Sequence, residues 1–108
     1  MQDNITKILK AIADPTRREI FHALVVTATA LPITQVSAQF QITRQGITKH
    51  IKTLEEAGLI TIQTKGRERF CKADTEPLKK LNNWLKFYEQ FWAESLDKLG
   101  NYLDEKIK

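Results

Sequence analysis

Four side chains in "TRQGITKHIKTLEEAGLI", residues 43–60, carry groups suited to reading a nucleic acid: Gln45, Thr48, Lys49 and Lys52. Glutamine both donates and accepts, which matches the major-groove edge of adenine; lysine and arginine match guanine or a phosphate oxygen. A threonine methyl can meet a thymine methyl. Spacing decides whether the four can act together. With Ile47 at zero, helical geometry puts Thr48 at about 100°, Lys52 at about 140°, Gln45 at about 160° and Lys49 at about 200°. They share one side. Ile51, Leu54 and Gly58 lie within about 40° of Ile47, so the opposite side is an apolar stripe.

The flanks agree. Thr43 fits a helix N-cap, and Gly58 fits the terminating position. Arg44 lies at about 60°, where it can reach across the free N–H groups of the helix start toward a phosphate. Glu55 and Glu56 sit in the second half, away from that end. His50 falls at the edge of the apolar stripe, which suits a half-buried histidine bonded to a backbone group or a phosphate. Any solvated helix shows a polar outer face, so the surroundings must decide between the two readings.

Next in the chain, "LITIQTKGRERFCKA" changes to a two-residue period, with "KGR" between two candidate strands. This predicts a hairpin whose tip, residues 64–70, carries Lys65, Arg67 and Arg69. A basic tip can rest on phosphates or enter a minor groove. The charge map favours that use over mere solubility. Seven basic residues (Arg44, Lys49, Lys52, Lys65, Arg67, Arg69, Lys72) and three acidic ones (Glu55, Glu56, Glu68) fall in residues 43–72. Seven minus three is +4, the formal net charge of the whole 108-residue chain. Concentrating the excess in one segment points to a polyanion-binding face.

The remaining elements must position that face. Ile5, Ile8, Leu9 and Ile12 follow the amphipathic template, predicting a helix over 4–13. Asp14 as cap and Pro15 at the first helical position start a second helix, to about Thr27, burying Ile20, Phe21 and Leu24. A short helix over 34–40 buries Val36 and Phe40, and Gln41 and Ile42 make a tight connection to the helix at 43–58. Glu76-Pro77 opens a last helix of about 30 residues. The order is helix, helix, short helix, helix, hairpin, long helix. The expected fold is mainly α with a small β-hairpin: a single winged helix-turn-helix domain over 1–108.

Four blocks in order resemble the ArsR family of bacterial winged-helix repressors: "ILKAIADPTRREIF", "TRQGITKHIKTLEEAGLI", "KGRERFCKAD" and "PLKKLNNWLKFYEQFWAESLDKLGNYL". The last block resembles one non-metal branch, the SdpR-like autorepressors. The resemblance implies a homodimer that represses by occupying a double-stranded DNA operator. It places base reading on 43–52 and wing contacts around Lys65, Arg67 and Arg69. One departure concerns the switch. Metal-sensing members carry cysteines on the helix before the reader, and here "ITQVSAQF" has neither Cys nor His. A second family metal site uses Asp and His on the terminal helix, which has no His here. Cys71, His22 and His50 lack ligand spacing, so no metal and no cofactor is expected.

The terminal helix supports self-association independently. Leu85, Tyr88, Trp92, Leu96, Leu99 and Leu103 lie within about 60° of Leu81; Trp84, Phe87, Phe91 and Tyr102 lie at about 240–300°. An arc of about 200° is too wide for packing on one surface. The expectation is that helices 4–13 and 77–106 form a dimer interface, with Ile5, Ile8, Leu9, Leu85, Tyr88, Trp92, Leu96 and Leu99 in it. Two-fold symmetry then predicts an inverted-repeat operator.

Other functions find less support. No catalytic triad, phosphate loop, metal cluster or carboxylate pair in a recognisable setting suggests an enzyme. No apolar run reaches membrane-spanning length, and a single cysteine forms no internal disulfide, which together suit the cytoplasm. Arg69 and Lys72 near Cys71 could lower its thiol pKa and make it reactive. Trp84, Tyr88, Phe91 and Trp92 could line a small-molecule pocket. An unidentified protein or small-molecule effector therefore stays open, as does a protein-interaction module or sensor with secondary DNA binding.

Overall fold

Asp14 and Thr43 begin their helices as their side chains dictate. The Asp14 carboxylate accepts from the Arg17 N–H at 3.0 Å, and Thr43 Oγ1 accepts from the Gly46 N–H at 3.1 Å. The computed structural model describes residues 4–107. Its elements are α1 (Asn4–Ile12), α2 (Pro15–Thr27), β1 (Leu31–Pro32), α3 (Ile33–Phe40), α4 (Arg44–Glu56), β2 (Ile60–Lys65), β3 (Glu68–Ala73) and α5 (Glu76–Ile107). The helices match expectation to within a residue or two at their ends.

α4 ends as its glycine predicts. Gly58 has φ +76°; its N–H donates to the Glu55 carbonyl at 2.9 Å, and the Leu59 N–H donates to the Leu54 carbonyl at 3.0 Å. This pair of bonds satisfies carbonyls that no further helical turn reaches.

The sheet departs from expectation. It has three strands in the order β1-β3-β2, all antiparallel, where two were predicted. "TATALP" reads as a break, yet Leu31 and Pro32 pair with Cys71 and Phe70. A proline on a two-residue edge strand leaves no periodic signal.

The core lies where α1, α2, α3, α4 and the inner face of the sheet converge. Ile8, Ile20, Leu24, Val36, Ile47, Leu54, Leu59 and Ile60 are almost wholly buried. Burying each such side chain contributes about 1.5–3 kcal/mol before entropy is counted. Phe40 is only half-buried, packed against the margin of this core. α5 joins the core only at its start, through Leu78 and Leu81. Its contacts are chiefly with α1, and the rest of it extends outward, giving a molecule 71 Å long and 30 × 23 Å across.

Candidate nucleic-acid interface

α3, its turn and α4 make the helix-turn-helix. Gln41 adopts a left-handed conformation, φ 54°, which costs a non-glycine residue about 1–2 kcal/mol. Local bonds offset this. The Ile42 N–H donates to the Ser37 carbonyl at 3.1 Å, and Ser37 Oγ donates to the Ile42 carbonyl at 2.7 Å. Gly46 allows the turn to lie close against the helix, since a Cβ there would stand 2.9 Å from Ile42 Cγ2.

α4 then divides as its angles require. Ile47, Ile51 and Leu54 face the core, while Arg44, Gln45, Thr48, Lys49 and Lys52 are exposed. Thr43 is exposed too, with its hydroxyl oxygen engaged as the cap. Thr48 Oγ1 donates to the Arg44 carbonyl at 2.8 Å, so its methyl and its acceptor lone pairs remain for a ligand. His50 is half-buried, with Nδ1 3.5 Å from Arg17 Nη1.

The wing is β2, β3 and a two-residue turn, with Lys65 opposite Glu68 and Thr64 opposite Arg69. Lys65, Arg67 and Arg69 are all exposed, and Lys65 Nζ lies 5.9 Å from the centre of the Phe70 ring. Fold and charge meet in one cleft of about 690 Å³ between α3, the start of α4 and the wing tip. Ile33, Ala38, Ile42 and Ile47 give it apolar walls, and Arg44, Thr48, Arg67 and Arg69 supply polar groups. Among the described residues, no side chain bonds or pairs with the guanidinium of Arg44, Arg67 or Arg69. Glu68 also lines the cleft, so its rim is basic but not uniformly so.

Two expectations need correction. Ile8, expected at a dimer face, is 0% exposed in the protomer's own core and has no surface for a second chain. α1 packs against α5, α2 and α4 of its own chain, and Ile8 is enclosed there. Ile5 is half-buried and Leu9 exposed. Cys71 is the second. Burial pushes its thiol above the usual value, opposite to the lowering expected from nearby Arg69 and Lys72. Those side chains are exposed, whereas Cys71 lies mid-sheet between Ile62 and Leu31, with Sγ 3.5 Å from the Leu31 carbonyl.

Leu85, Tyr88, Trp92, Leu96 and Leu99 are exposed along α5. The aromatic cluster is a set of edge-to-face contacts: Trp84–Tyr88 at 5.3 Å, Phe87–Tyr88 at 5.1 Å and Phe87–Phe91 at 5.4 Å. These rings stack along the helix surface and line neither the cleft above nor a smaller one beside Gly58 and Pro77. No group of three or more His, Cys, Asp or Glu placed to hold a metal occurs among the described residues, and no helix there is long and apolar enough to cross a membrane.

Sequence reading missed Arg17 and Arg18. Arg17 donates from Nε to the Ala11 carbonyl at 2.8 Å and from Nη2 to the Lys10 carbonyl at 2.9 Å; Arg18 Nη1 donates to the Ile12 carbonyl at 2.6 Å. Together they cap the C-terminus of α1. The available signal was two arginines shortly after a helix end, where cations suit the dipole and the orphan carbonyls.

A helix-turn-helix with an exposed polar edge, flanked by a basic wing, defines a winged-helix DNA-binding transcriptional regulator. Residues 12–63 match a family described as "Helix-turn-helix domain". The chain is 40% identical over 91 residues to YuzN, an HTH-type transcriptional regulator of Bacillus subtilis (strain 168), covering 79% of this chain and 99% of that one. It is 28% identical over 81 residues to the transcriptional repressor SdpR of the same organism, covering 75% and 88%. The crystal structure of an ArsR family transcriptional regulator matches with a TM-score of 0.75 at 28% identity, covering 84% of this chain and 98% of that one. A homodimeric winged helix-turn-helix DNA-binding domain from Mycobacterium bovis shares the fold, with a TM-score of 0.64 at 15% identity, covering 82% and 80%. The chain belongs to the ArsR family of winged-helix transcriptional regulators.

Proposed function

We propose that this regulator is a cytoplasmic homodimeric repressor that occupies an inverted-repeat operator and acts without enzymatic activity. Each protomer sets α4 in a major groove. Gln45, Thr48 and Lys49 meet base edges, while Arg44, His50, Lys52 and the capped turn at Thr43 meet the backbone. Lys65, Arg67 and Arg69 hold the flanking phosphates. The observation that carries this reading is the cleft where Arg44 and Thr48 of the reading helix stand across from Arg67 and Arg69 of the wing. Wing and helix thus face one ligand.

Dimerisation is supported by ten large apolar side chains left exposed along α5 between Trp84 and Leu103. An unpartnered apolar stripe of this length in a water-facing helix calls for a partner. The homodimeric fold neighbour and the SdpR relative make a second copy and a repressor the fitting choices. Two-fold pairing places the half-sites about 10 bp, or a multiple of it, apart.

The test is selection of bound fragments from the host genome, followed by gel-shift titration at several salt concentrations. The expected result is one inverted-repeat motif, bound with a steep salt dependence. An autorepressor recovers its own promoter. Equal binding to all sequences, or binding insensitive to salt, defeats the reading.

A further inference from the structure

Arg17 touches three helices. Its backbone N–H donates to the Asp14 cap of its own helix α2. Its guanidinium holds the Lys10 and Ala11 carbonyls of α1 through two bonds of 2.9 and 2.8 Å. The third guanidinium edge reaches His50 Nδ1 on α4 at 3.5 Å. A guanidinium only donates, so in this contact Nδ1 must accept, and the neutral imidazole carries its proton on Nε2.

We propose that Arg17 is a positioning residue for operator binding. It fixes the rotation of the reading helix relative to α1 and, through α1 and α5, relative to the second reading helix of the dimer. This rests on the dimeric operator-binding reading above. Apolar packing already joins α1, α2 and α4, but that attraction is non-directional and tolerates small rotations. Hydrogen bonds are directional. The two short bonds anchor the guanidinium to α1, and the longer reach to His50 carries that anchor to the reading helix. His50 stands between Lys49 and Lys52, so a rotation of α4 felt at His50 moves both. α1 in turn packs on α5, which carries the exposed apolar stripe. Arg18 shares the capping task but bonds only α1, and so makes an internal control.

The experiment compares the native full-length chain with Arg17→Gln, Arg17→Lys and Arg18→Gln. Lysine keeps the charge but lacks the fork that reaches two carbonyls and a ring together. Binding is measured to the inverted repeat selected by the native protein, and to the same fragment with one half-site scrambled. Both Arg17 variants are expected to weaken binding to the complete repeat about tenfold, as loss of a charged hydrogen-bond link implies. Binding to the single half-site and the salt slope stay unchanged. Arg18→Gln leaves the ratio between the two fragments as it was. Equal loss on both fragments overturns the proposal, since it marks a general stabiliser. A salt slope lower by about one also overturns it, since that marks a phosphate contact. Independently of DNA, side-chain ¹⁵N shifts of His50 should report the Nε2–H tautomer in the native chain and a tautomer mixture in Arg17→Gln. The same tautomer in both, or Nδ1–H in the native chain, overturns the link to His50. If the native protein does not distinguish the repeat from the scrambled fragment, the dimeric reading itself fails; the ¹⁵N result then decides the Arg17–His50 link alone.

Discussion

The winged head, residues 4–81, and the outer part of α5, residues 82–106, use similar apolar residues in opposite ways. In the head, Ile8, Ile20, Leu24, Ile47 and Leu54 are buried against one another, and no buried side-chain polar atom among the described residues lacks a partner. From Asn82 onward every described side chain is exposed, including two tryptophans and six other residues that are leucine or tyrosine. The head therefore satisfies itself within one chain. The outer helix does not, and an isolated helix gains little stability from its own hydrogen bonds in water. What holds the head is written in the fold of one chain; what holds outer α5 must come from a second surface.

The strongest way to break this contrast is Trp92→Lys, which places a charge in the middle of the exposed stripe. Sedimentation at micromolar concentration should show monomers, and operator affinity should fall about 10²–10⁴-fold as the linked second head is lost. The head itself should keep its melting behaviour once dimer-linked stabilisation is subtracted, because Trp92 touches none of its core. A Trp92→Lys dimer as stable as the native one would mean that the stripe is not the joining surface.

A change of the same kind inside the head should act differently. Leu54→Ala leaves a cavity where a fully buried side chain stood and should cost about 2–5 kcal/mol in chemical denaturation. The surviving folded fraction should still dimerise. Were Leu54→Ala to dissociate the dimer without destabilising the head, the division between the regions would be wrong.

Much of this was legible in advance, for a physical reason. Ile47, Ile51 and Leu54 repeat at helical spacing, and Thr43, Asp14 and Gly58 carry end signals that act within a few residues. Local rules of that sort read directly from sequence. What escaped depends on residues far apart. β1 exists only because Leu31 and Pro32 meet Cys71 and Phe70 some forty positions later. Ile8 shares an amphipathic stripe with Leu9, and only the placement of α2, α4 and α5 around α1 decides which of them is buried. The Cys71 thiol illustrates the same limit: its charged sequence neighbours point outward, and its environment is set by strands on either side. The reading face was legible as a list of side chains, but the cleft uniting Arg44 with Arg67 and Arg69 required the wing to be placed.

Within the head, the outer edge of α4 can be separated from its core by smaller effects. Gln45→Ala should cost about 1–3 kcal/mol of discrimination at one base pair and leave the salt slope alone. Lys52→Ala should weaken all sequences alike and lower the slope by about one. Neither should shift the melting transition, as both side chains are exposed. Exchanged outcomes would swap the two roles between base and backbone.

The smallest expected effect lies at Asp14. The Arg17 N–H donating to its carboxylate holds its pKa below the usual value. The unfolded chain therefore binds this proton more readily than the folded one. The cap's contribution is fully present above the unfolded value, about 3.9, and is lost as pH falls through the folded value. Asp14→Asn keeps a capping oxygen but has nothing to titrate, so it should flatten the acid end of the stability profile. The contrast between the regions supplies its own control. Both tryptophans, Trp84 and Trp92, lie on α5, so their fluorescence reports the outer helix, whereas amide exchange in α2 reports the cap. As pH falls below about 3.9, α2 amides of the native chain should lose protection that Asp14→Asn retains, while the change in tryptophan emission is the same in both proteins. A difference in tryptophan emission instead would mean that the cap's protonation is felt along α5, and that head and outer helix are more tightly coupled than their separate packing implies.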